Sequence, residues 1–401
     1  MRGLVARAFL VLFLSMKSAL AAESLPPDRV LDSQIRLSDR LVGELTKRSQ
    51  GGANIVISPA GIAGVMSLLE VGADPRMHAA IITVLGLTDR ANGEPSSEFY
   101  SLRAAISRVG RGPNQNGLTF ALLNAVLIDP AAQPYDKAIQ EMRMLGAEVS
   151  VSSTKSRAAV QHLNEWVSRQ TRHRITSILS NDEPRSGLVT ANVLYFKDKW
   201  SAPFSKARTH LGSFHGLDAD QAVPMMFRSG QYYCRRQDRF VAVEMPYGTG
   251  RYRLVLVTTT DRSASSGEFS TVVDWVGGAG FERAEVQLSL PRFTLEGEEN
   301  LLDPLEEIGL KEGIVSRTAL ERLSAVPQGI SDIVQKTYMR VDEEGTEVAA
   351  TTLMAVELSA ATEPEKILID RPFLFALRDK ETGLILTSGY IGRLPVNRVP
   401  H

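Results

Sequence analysis

Few side chains in this sequence are placed to do covalent or metal chemistry. There is one cysteine, Cys234, and there are six histidines, at 78, 162, 173, 210, 215 and 401. A cysteine nucleophile needs a lowered pKa and a positioned base. Arg235 and Arg236 follow Cys234, but Y-Y-C-R-R-Q-D reads as an ordinary strand end. A single cysteine also excludes an internal disulfide. His210 and His215 have no carboxylate partner at ligand spacing, so they read as surface histidines and no metal site is expected. The sequence has no H-E-x-x-H, no G-x-S-x-G, no G-x-x-x-x-G-K-[ST], no zinc spacing and no EF-hand loop. Gly248-Thr249-Gly250 lacks a third glycine and a following helix, so it is a turn. The basic run Arg169 to Arg174 (R-Q-T-R-H-R) is able to take up an anionic polymer, but reads first as a solvated helix end. No catalytic constellation and no cofactor are expected, and the chain does not read as an enzyme.

What stands out instead is Val341 to Pro364, V-D-E-E-G-T-E-V-A-A-T-T-L-M-A-V-E-L-S-A-A-T-E-P. It lies between two strand-like runs, Val334–Val341 and Lys366–Arg378. Structureless loops of this length are uncommon inside compact domains and are usually functional or disordered. From Thr346 to Glu363 the run has no glycine or proline, and Val348, Thr351, Thr352, Leu353 and Val356 make it strand-capable. Side chains alternate between the faces of a strand. The even positions from Thr346 to Leu358 carry no charge, while Glu347 and Glu357 are both odd. The loop is therefore able to become a strand with one dry face and one wet face.

The elements that position this stretch follow from periodicity. Val30–Arg48 is helical. Asn54–Pro59 is a short buried strand, and Ser58 and Pro59 read as N-cap and first helical residue of a helix Ala60–Val71 that ends at Gly72. Helices follow at Asp74–Leu87, Phe99–Val109, Tyr135–Leu145 and Ala158–Arg172. Strands are expected at Leu118–Ile128, Glu148–Val151 and Gly187–Phe196. In the last of these the single polar residue, Asn192, must be hydrogen-bonded. Val223–Phe227, Gln231–Arg235, Phe240–Pro246 and Tyr252–Thr259 read as antiparallel strands joined by turns. Phe269–Val276 is helical, Glu285–Thr294 a strand, and Leu301–Ile308 a helix closed by Gly309. Strands and helices mix without regular alternation, which indicates an α+β fold.

The 401 residues are 43% hydrophobic and 23% charged, an ordinary globular composition with no linker and no internal repeat. Residues 1–21 read as a signal peptide: Arg2 and Arg7, an apolar core Ala8–Met16 too short to span a bilayer, and a small-x-small site at Ala19-Leu20-Ala21. Removing them takes away Arg2, Arg7 and Lys17 and leaves 42 basic against 46 acidic side chains. So mild an acidity gives no reason to expect nucleic-acid or membrane binding. A secreted monomer is expected, extracellular, or periplasmic if the source is bacterial.

A series of tracts runs in order over more than three-quarters of the chain. They include Asn54-x-x-x-Ser58-Pro59, Leu68-Leu69-x-x-Gly72-Ala73, Asn164-x-Trp166-Val167 with Ile175, and Ala191-Asn192-x-x-Tyr195-Phe196-Lys197-x-Lys199-Trp200 with Pro203-Phe204 after it. Val223-Pro224-Met225-Met226, Met245-Pro246-Tyr247, Leu290-Pro291-Arg292-Phe293, Leu305-x-x-x-Gly309, Val341-x-Glu343-Glu344-Gly345-Thr346-Glu347 and Asp370-Arg371-Pro372-Phe373-Leu374-Phe375 continue the series. Together these tracts resemble the serpin (serine protease inhibitor) family.

The resemblance implies one domain over residues 22–401, with about nine helices and three β-sheets. It makes residues 343–364 a reactive-centre loop. Its hinge would be Glu343, Gly345, Thr346, Glu347, Val348, Ala349 and Ala350. Ser58, Asn192, Trp200 and Gln335 would lie where the central strands part. In the family a protease cleaves the exposed loop and becomes an acyl-enzyme; the loop then inserts into the large sheet and deforms the protease. The implied function is a suicide-substrate inhibitor. Counting forward from Glu343 by the family's usual spacing points to Ser359 as the specificity residue, and counting back from Pro372 points to Ala361. Leu358 and Ala360 stay open, because this loop reads as longer than usual. All four are small or aliphatic, and no Arg or Lys lies between Thr346 and Glu365. Elastase-, subtilisin- or chymotrypsin-like serine proteases, or a papain-like cysteine protease, are therefore the expected partners. Four departures favour a non-inhibitory binding, carrier or chaperone protein instead: Val348 where alanine is usual, the extra loop length, Gly61 where serine is common, and Gln335 where many members have histidine.

Overall fold

The computed structural model describes residues 27–49, 54–88, 96–110, 119–180, 187–261, 265–316, 318–345 and 364–394. Six helices come first or interleave with strands: α1 (Pro27–Arg48), α2 (Pro59–Gly72), α3 (Pro75–Leu85), α4 (Ser97–Gly110), α5 (Asp136–Met144) and α6 (Arg157–Gln170). The strands are β1 (Ile55–Ile57), β2 (Thr119–Ile128), β3 (Glu148–Val151), β4 (Leu188–Lys197), β5 (His210–His215), β6 (Asp220–Gln237), β7 (Phe240–Pro246), β8 (Tyr252–Thr259), β9 (Glu282–Pro291), β10 (Phe293–Asn300), β11 (Ile330–Val341), β12 (Glu365–Leu368), β13 (Phe373–Asp379) and β14 (Ile385–Ile391). A 3-10 helix spans Ser266–Gly277, and α7 (Leu302–Leu305) and α8 (Lys311–Ile314) flank a π-helical turn.

The start of α2 follows its sequence. Ser58 is extended, and its Oγ accepts from Gly61 N at 3.1 Å. Pro59 occupies the first helical position, where no amide is needed. The helix is apolar almost all round and buried almost all round, as such helices must be.

A five-stranded sheet has the order β10-β11-β4-β2-β3. Two of its seams are antiparallel, but β11 and β4 run parallel, from Ile330 opposite Leu188 to Met339 opposite Phe196. Odd residues of β11 (Ile333, Met339, Val341) enter the main core. On the opposite face Val334 and Tyr338 join a second cluster under α6, built on Leu163, Val167, Val189 and Val193. β4 is therefore covered on both faces.

The other strands form one nine-stranded network, β1-β14-β13-β8-β7-β6-β9-β12, with β5 on β6. The expected second and third sheets are continuous because β6 is a single strand of 18 residues. The sequence predicts two strands there, with a turn at Arg228-Ser229-Gly230. Unbroken pairing with β9, from Met225 opposite Pro291 to Cys234 opposite Glu282, keeps that tripeptide extended. Conversely, the predicted single strand Glu285–Thr294 divides at Arg292, and its halves join different sheets. Gly72 is not the left-handed residue after α2. It is the last helical residue, and a Cβ there would stand 2.6 Å from Leu323 Cβ.

Candidate functional site

The site is built around β11 and the four residues that follow it. Asp342 and Gly345 face each other as an antiparallel bridge around Glu343-Glu344. Asp342 N donates to Gly345 O at 2.9 Å and Gly345 N to Asp342 O at 3.4 Å. Gly345 has φ +136, and a Cβ there would fall 2.3 Å from Asp198 O, so only glycine fits. The segment after β4 grips this turn from the side. Trp200 N donates to Glu344 O at 3.0 Å, Trp200 Nε1 to Asp342 O at 2.8 Å, and Phe204 N to Glu343 O at 2.7 Å. The Trp200 indole is fixed by stacking on Tyr247 at 4.1 Å between centroids.

Glu343 is acidic yet only 2% exposed. Its Oε1 accepts from Thr209 Oγ1 at 2.7 Å and from the Arg292 guanidinium. Burial pushes its carboxyl up, but these two donors prevail and hold it below the ordinary glutamate value. Asp342 goes the other way: burial, with Glu343 and Glu344 nearby, raises it. Glu344 reaches outward to Lys206.

Midway along the β11/β4 seam lies a row of carboxamides. Gln335 is opposite Asn192, and Asn192 is opposite Asn124 on β2. Gln335 Nε2 donates to Asn192 Oδ1 and to Ser58 O, both at 3.2 Å. Ser58 N donates to Gln335 Oε1 at 2.7 Å. Asn192 Nδ2 donates to Asn124 Oδ1 and Leu123 O, both at 2.9 Å. Asn192 is thus fully bonded, as the sequence predicts. The row crosses three strands and ties them to the N-terminus of α2. One face of α2 is cut away to admit it: a Cβ on Gly61 would lie 1.9 Å from Asn192 Oδ1, and one on Gly64 2.6 Å from Asn124 Nδ2. Gly61 and Gln335 therefore belong to one rearranged network.

The chain re-enters at Glu365, whose strand β12 lies parallel to β9. Glu365 Oε1 accepts from Arg236 Nε at 2.7 Å, and Oε2 sits 3.6 Å from Cys234 Sγ. Burial and the Glu365 carboxylate push the Cys234 thiol up to about 11. That is the opposite of an activated nucleophile.

Of the residues singled out in the sequence, the fold brings Glu343, Gly345 and Trp200 together at the end of β11, and Ser58, Asn192 and Gln335 together at mid-seam. Thr346, Glu347, Val348, Ala349 and Ala350 lie outside the described residues, as do Leu358, Ser359, Ala360 and Ala361 and the proposed signal segment. Thr209 and Asn124 escaped the sequence reading, and Arg292 entered it only within a family-like tract, since nothing local marks these three as partners of residues so far away. His215 does have an acid, Asp220, 2.9 Å from Nδ1, which the sequence reading missed. Among the described residues no group of three or more His, Cys, Asp or Glu is placed to hold a metal ion. No described helix is long and apolar enough to cross a membrane.

Comparison with known proteins agrees with this geometry. Residues 32–393 match the family model for serpin (serine protease inhibitor). Human neuroserpin is 27% identical, covering 96% of each chain. Rat glia-derived nexin is 29% identical over 86% of this chain and 89% of the relative. Among solved structures, Serpin48 of the insect Tenebrio molitor superposes with a TM-score of 0.78 at 22% identity, over 92% of this chain and all of that one. Human thyroxine-binding globulin gives the same TM-score and identity, over 91% and 98%. With an α+β architecture of two linked sheet systems and a family match over most of its length, the chain belongs to the serpin family.

Proposed function

We propose that this protein is an exported, monomeric, single-use inhibitor of proteases, in which the loop after Gly345 is cleaved and then inserted between β11 and β4. Residues 22–401 are its one folded domain, and residues 1–21 are removed on export. The observation that carries the proposal is the register of the Asp342–Gly345 bridge. A strand turning back at Gly345 and entering the β11/β4 seam runs antiparallel to both neighbours. It replaces one slanted parallel ladder by two antiparallel ones. Continued down β11, the register sets 346 opposite Val341, 348 opposite Met339, 350 opposite Thr337, 352 opposite Gln335 and 354 opposite Ile333. All five partners are buried. The residues they would meet are Thr346, Val348, Ala350, Thr352 and Met354, none charged.

Ladder hydrogen bonds contribute about 0.5–1.5 kcal/mol each, while ordering costs about 1–2 kcal/mol per residue. Apolar burial must supply the rest, at about 1.5–3 kcal/mol for a side chain such as Val348 or Met354. Val348 in place of alanine adds to that term. The small and aliphatic residues Leu358–Ala361 favour elastase-, subtilisin- or chymotrypsin-like targets. Thermal unfolding before and after a single cleavage in the loop tests insertion. A large rise in midpoint supports it, and an unchanged midpoint contradicts it.

One observation favours a second reading, that of a carrier. A cavity of about 570 Å³ opens between α1, the 3-10 helix and β13–β14, lined by Val42, Phe269, Val276 and Leu374 with Asp39 and Arg40. Mostly apolar walls with a few polar groups suit a small amphipathic molecule. A solved relative of similar fold is thyroxine-binding globulin. Saturable binding of such a molecule, lost on filling the cavity by Val276→Trp, together with loop cleavage that leaves the unfolding midpoint unchanged, would decide for the carrier.

A further inference from the structure

The β11/β4 seam runs down to a cavity at its foot. Leu188 N donates to Gly329 O at 2.9 Å, and a Cβ on Gly187 would stand 2.3 Å from the same oxygen, so the two chains close on each other there. Beside this closure, between α3, α8 and the loop before β11, lies a cavity of about 230 Å³. Met77, Ile314, Ala319, Leu320, Gln328 and Ile330 line it. Its one carboxamide is Gln328, whose Oε1 is buried and accepts no hydrogen bond among the described residues. A buried acceptor left without a donor is costly.

The register brings one segment of the chain to this place. The Asp342–Gly345 bridge sets Met354 opposite Ile333, and Ile333 is itself opposite Thr190 on β4. β11 carries one extra residue between Ile330 and Asp332, so the next core-facing pair down the seam is Ile330 and Leu188. An inserted Val356 would come between these two. Position 358 follows about 7 Å further on and points to the same side. That takes it past Ile330 to the level of Gln328. The residue there is Leu358, the last large apolar side chain before Pro364; Ser359, Ala360, Ala361 and Thr362 come after it. An apolar cavity of about 150 Å³ already holds a benzene ring, so one of about 230 Å³ has room for a leucine side chain.

We propose that this cavity is the socket for the Leu358 side chain once the loop has been cut and inserted, and that a backbone amide at the end of the new strand donates to Gln328 Oε1. The socket sets the point at which the inserted strand stops, and it requires the cut to fall after Leu358. It rests on the inhibitor reading and adds to it the end point of insertion. Filling the cavity removes apolar surface from water and gives its wall atoms the contacts they lack, so it favours the fully inserted state.

The test uses the full chain with Ala361→Arg, which gives trypsin a cut after Leu358 wherever the native bond lies. Thermal unfolding is followed before and after that cut. Cutting should raise the midpoint. Leu358→Ala in this background should leave the uncut midpoint unchanged and lower the cut one by about 2–8 °C. Leu358→Met, of similar volume, should keep most of the rise. Ala319→Leu, which fills the cavity from its wall, should cost the cut protein less in combination with Leu358→Ala than alone. Equal cut midpoints with and without Leu358→Ala, or strictly additive effects of the two changes, would overturn the socket while leaving insertion standing. No rise on cutting would overturn insertion and the socket together. A rise that grows with protein concentration would place the loop of a second copy in the seam, and would overturn the intramolecular site.

Discussion

Gln335 and Asn192 stand opposite each other across the parallel seam of the five-stranded sheet, joined by a 3.2 Å hydrogen bond from Gln335 Nε2 to Asn192 Oδ1. The bond is one link in a run of neutral amides from β2 through β4 to β11 and on to the Ser58 backbone. None of these groups titrates near neutral pH, so the seam is held by hydrogen bonds that pH does not switch. An entering strand must displace the Gln335–Asn192 link.

Gly61 is the residue that makes room for this network. Gly61→Ala is expected to lower unfolding free energy by about 1–3 kcal/mol, because its Cβ overlaps the Asn192 amide. Urea unfolding measures the cost. In an Asn192→Ala background the same change should cost less, since the overlapping atoms are gone. Equal costs in the two backgrounds would show that the close approach is not what selects glycine.

Glu343 links stability to acid. Its folded carboxyl lies below the ordinary glutamate value of 4.5. A depressed pKa contributes stability above the unfolded value, and that stability is lost as pH falls through the folded one. The Glu343→Gln protein should therefore lose less stability than wild type on acidification from pH 5 downward, the region set by that value of 4.5. At pH 7 it should be weaker by about 1–3 kcal/mol, the worth of hydrogen bonds to a charged group. Asp342, shifted the opposite way, is raised first by burial, which both proteins share; loss of the Glu343 charge relieves only a smaller part of that shift. Parallel pH profiles would refute the assignment.

Cys234 should be inert in the native protein. With a thiol pKa near 11 and a buried side chain, alkylation by iodoacetamide at pH 8 should be slow until the chain is unfolded. Fast native labelling would mean that the β6–β12 edge around Glu365 opens readily.

If the loop inserts as proposed, Thr346→Arg would put a charge on the face opposite Val341. A buried unpaired charge costs several kcal/mol. On the proposed mechanism, inhibition would be a race between insertion and deacylation, so the variant should be cleaved as a substrate without trapping the protease. Unchanged inhibition would reverse the parity of the inserted strand.

Much of this architecture was legible in the sequence because it is local. Ser58-Pro59 spelled out a helix start, and the apolar run Gly187–Phe196 a strand buried on both faces. Long-range pairing was harder to read. Arg228-Ser229-Gly230 has turn chemistry, but ten consecutive rungs with β9 hold it straight. Gly72 has the composition of a helix stop, and its small size instead serves contact with Leu323. Arg292 and Glu343 meet across 51 residues, and no periodicity announces such a partner. Gly61 and Gln335 were visible as departures from the family pattern. Their reason is the shape of the Asn192 amide between them.

The central claim is that cleavage of the loop after Gly345 traps the protease. The most direct measurement is incubation of the full chain with elastase- and subtilisin-type proteases, followed by denaturing electrophoresis and N-terminal sequencing of the released C-terminal peptide. A denaturant-resistant complex, with a new N-terminus within residues 359–362, is the result expected. Loop cleavage by every protease, with no complex formed, would contradict the inhibitor reading.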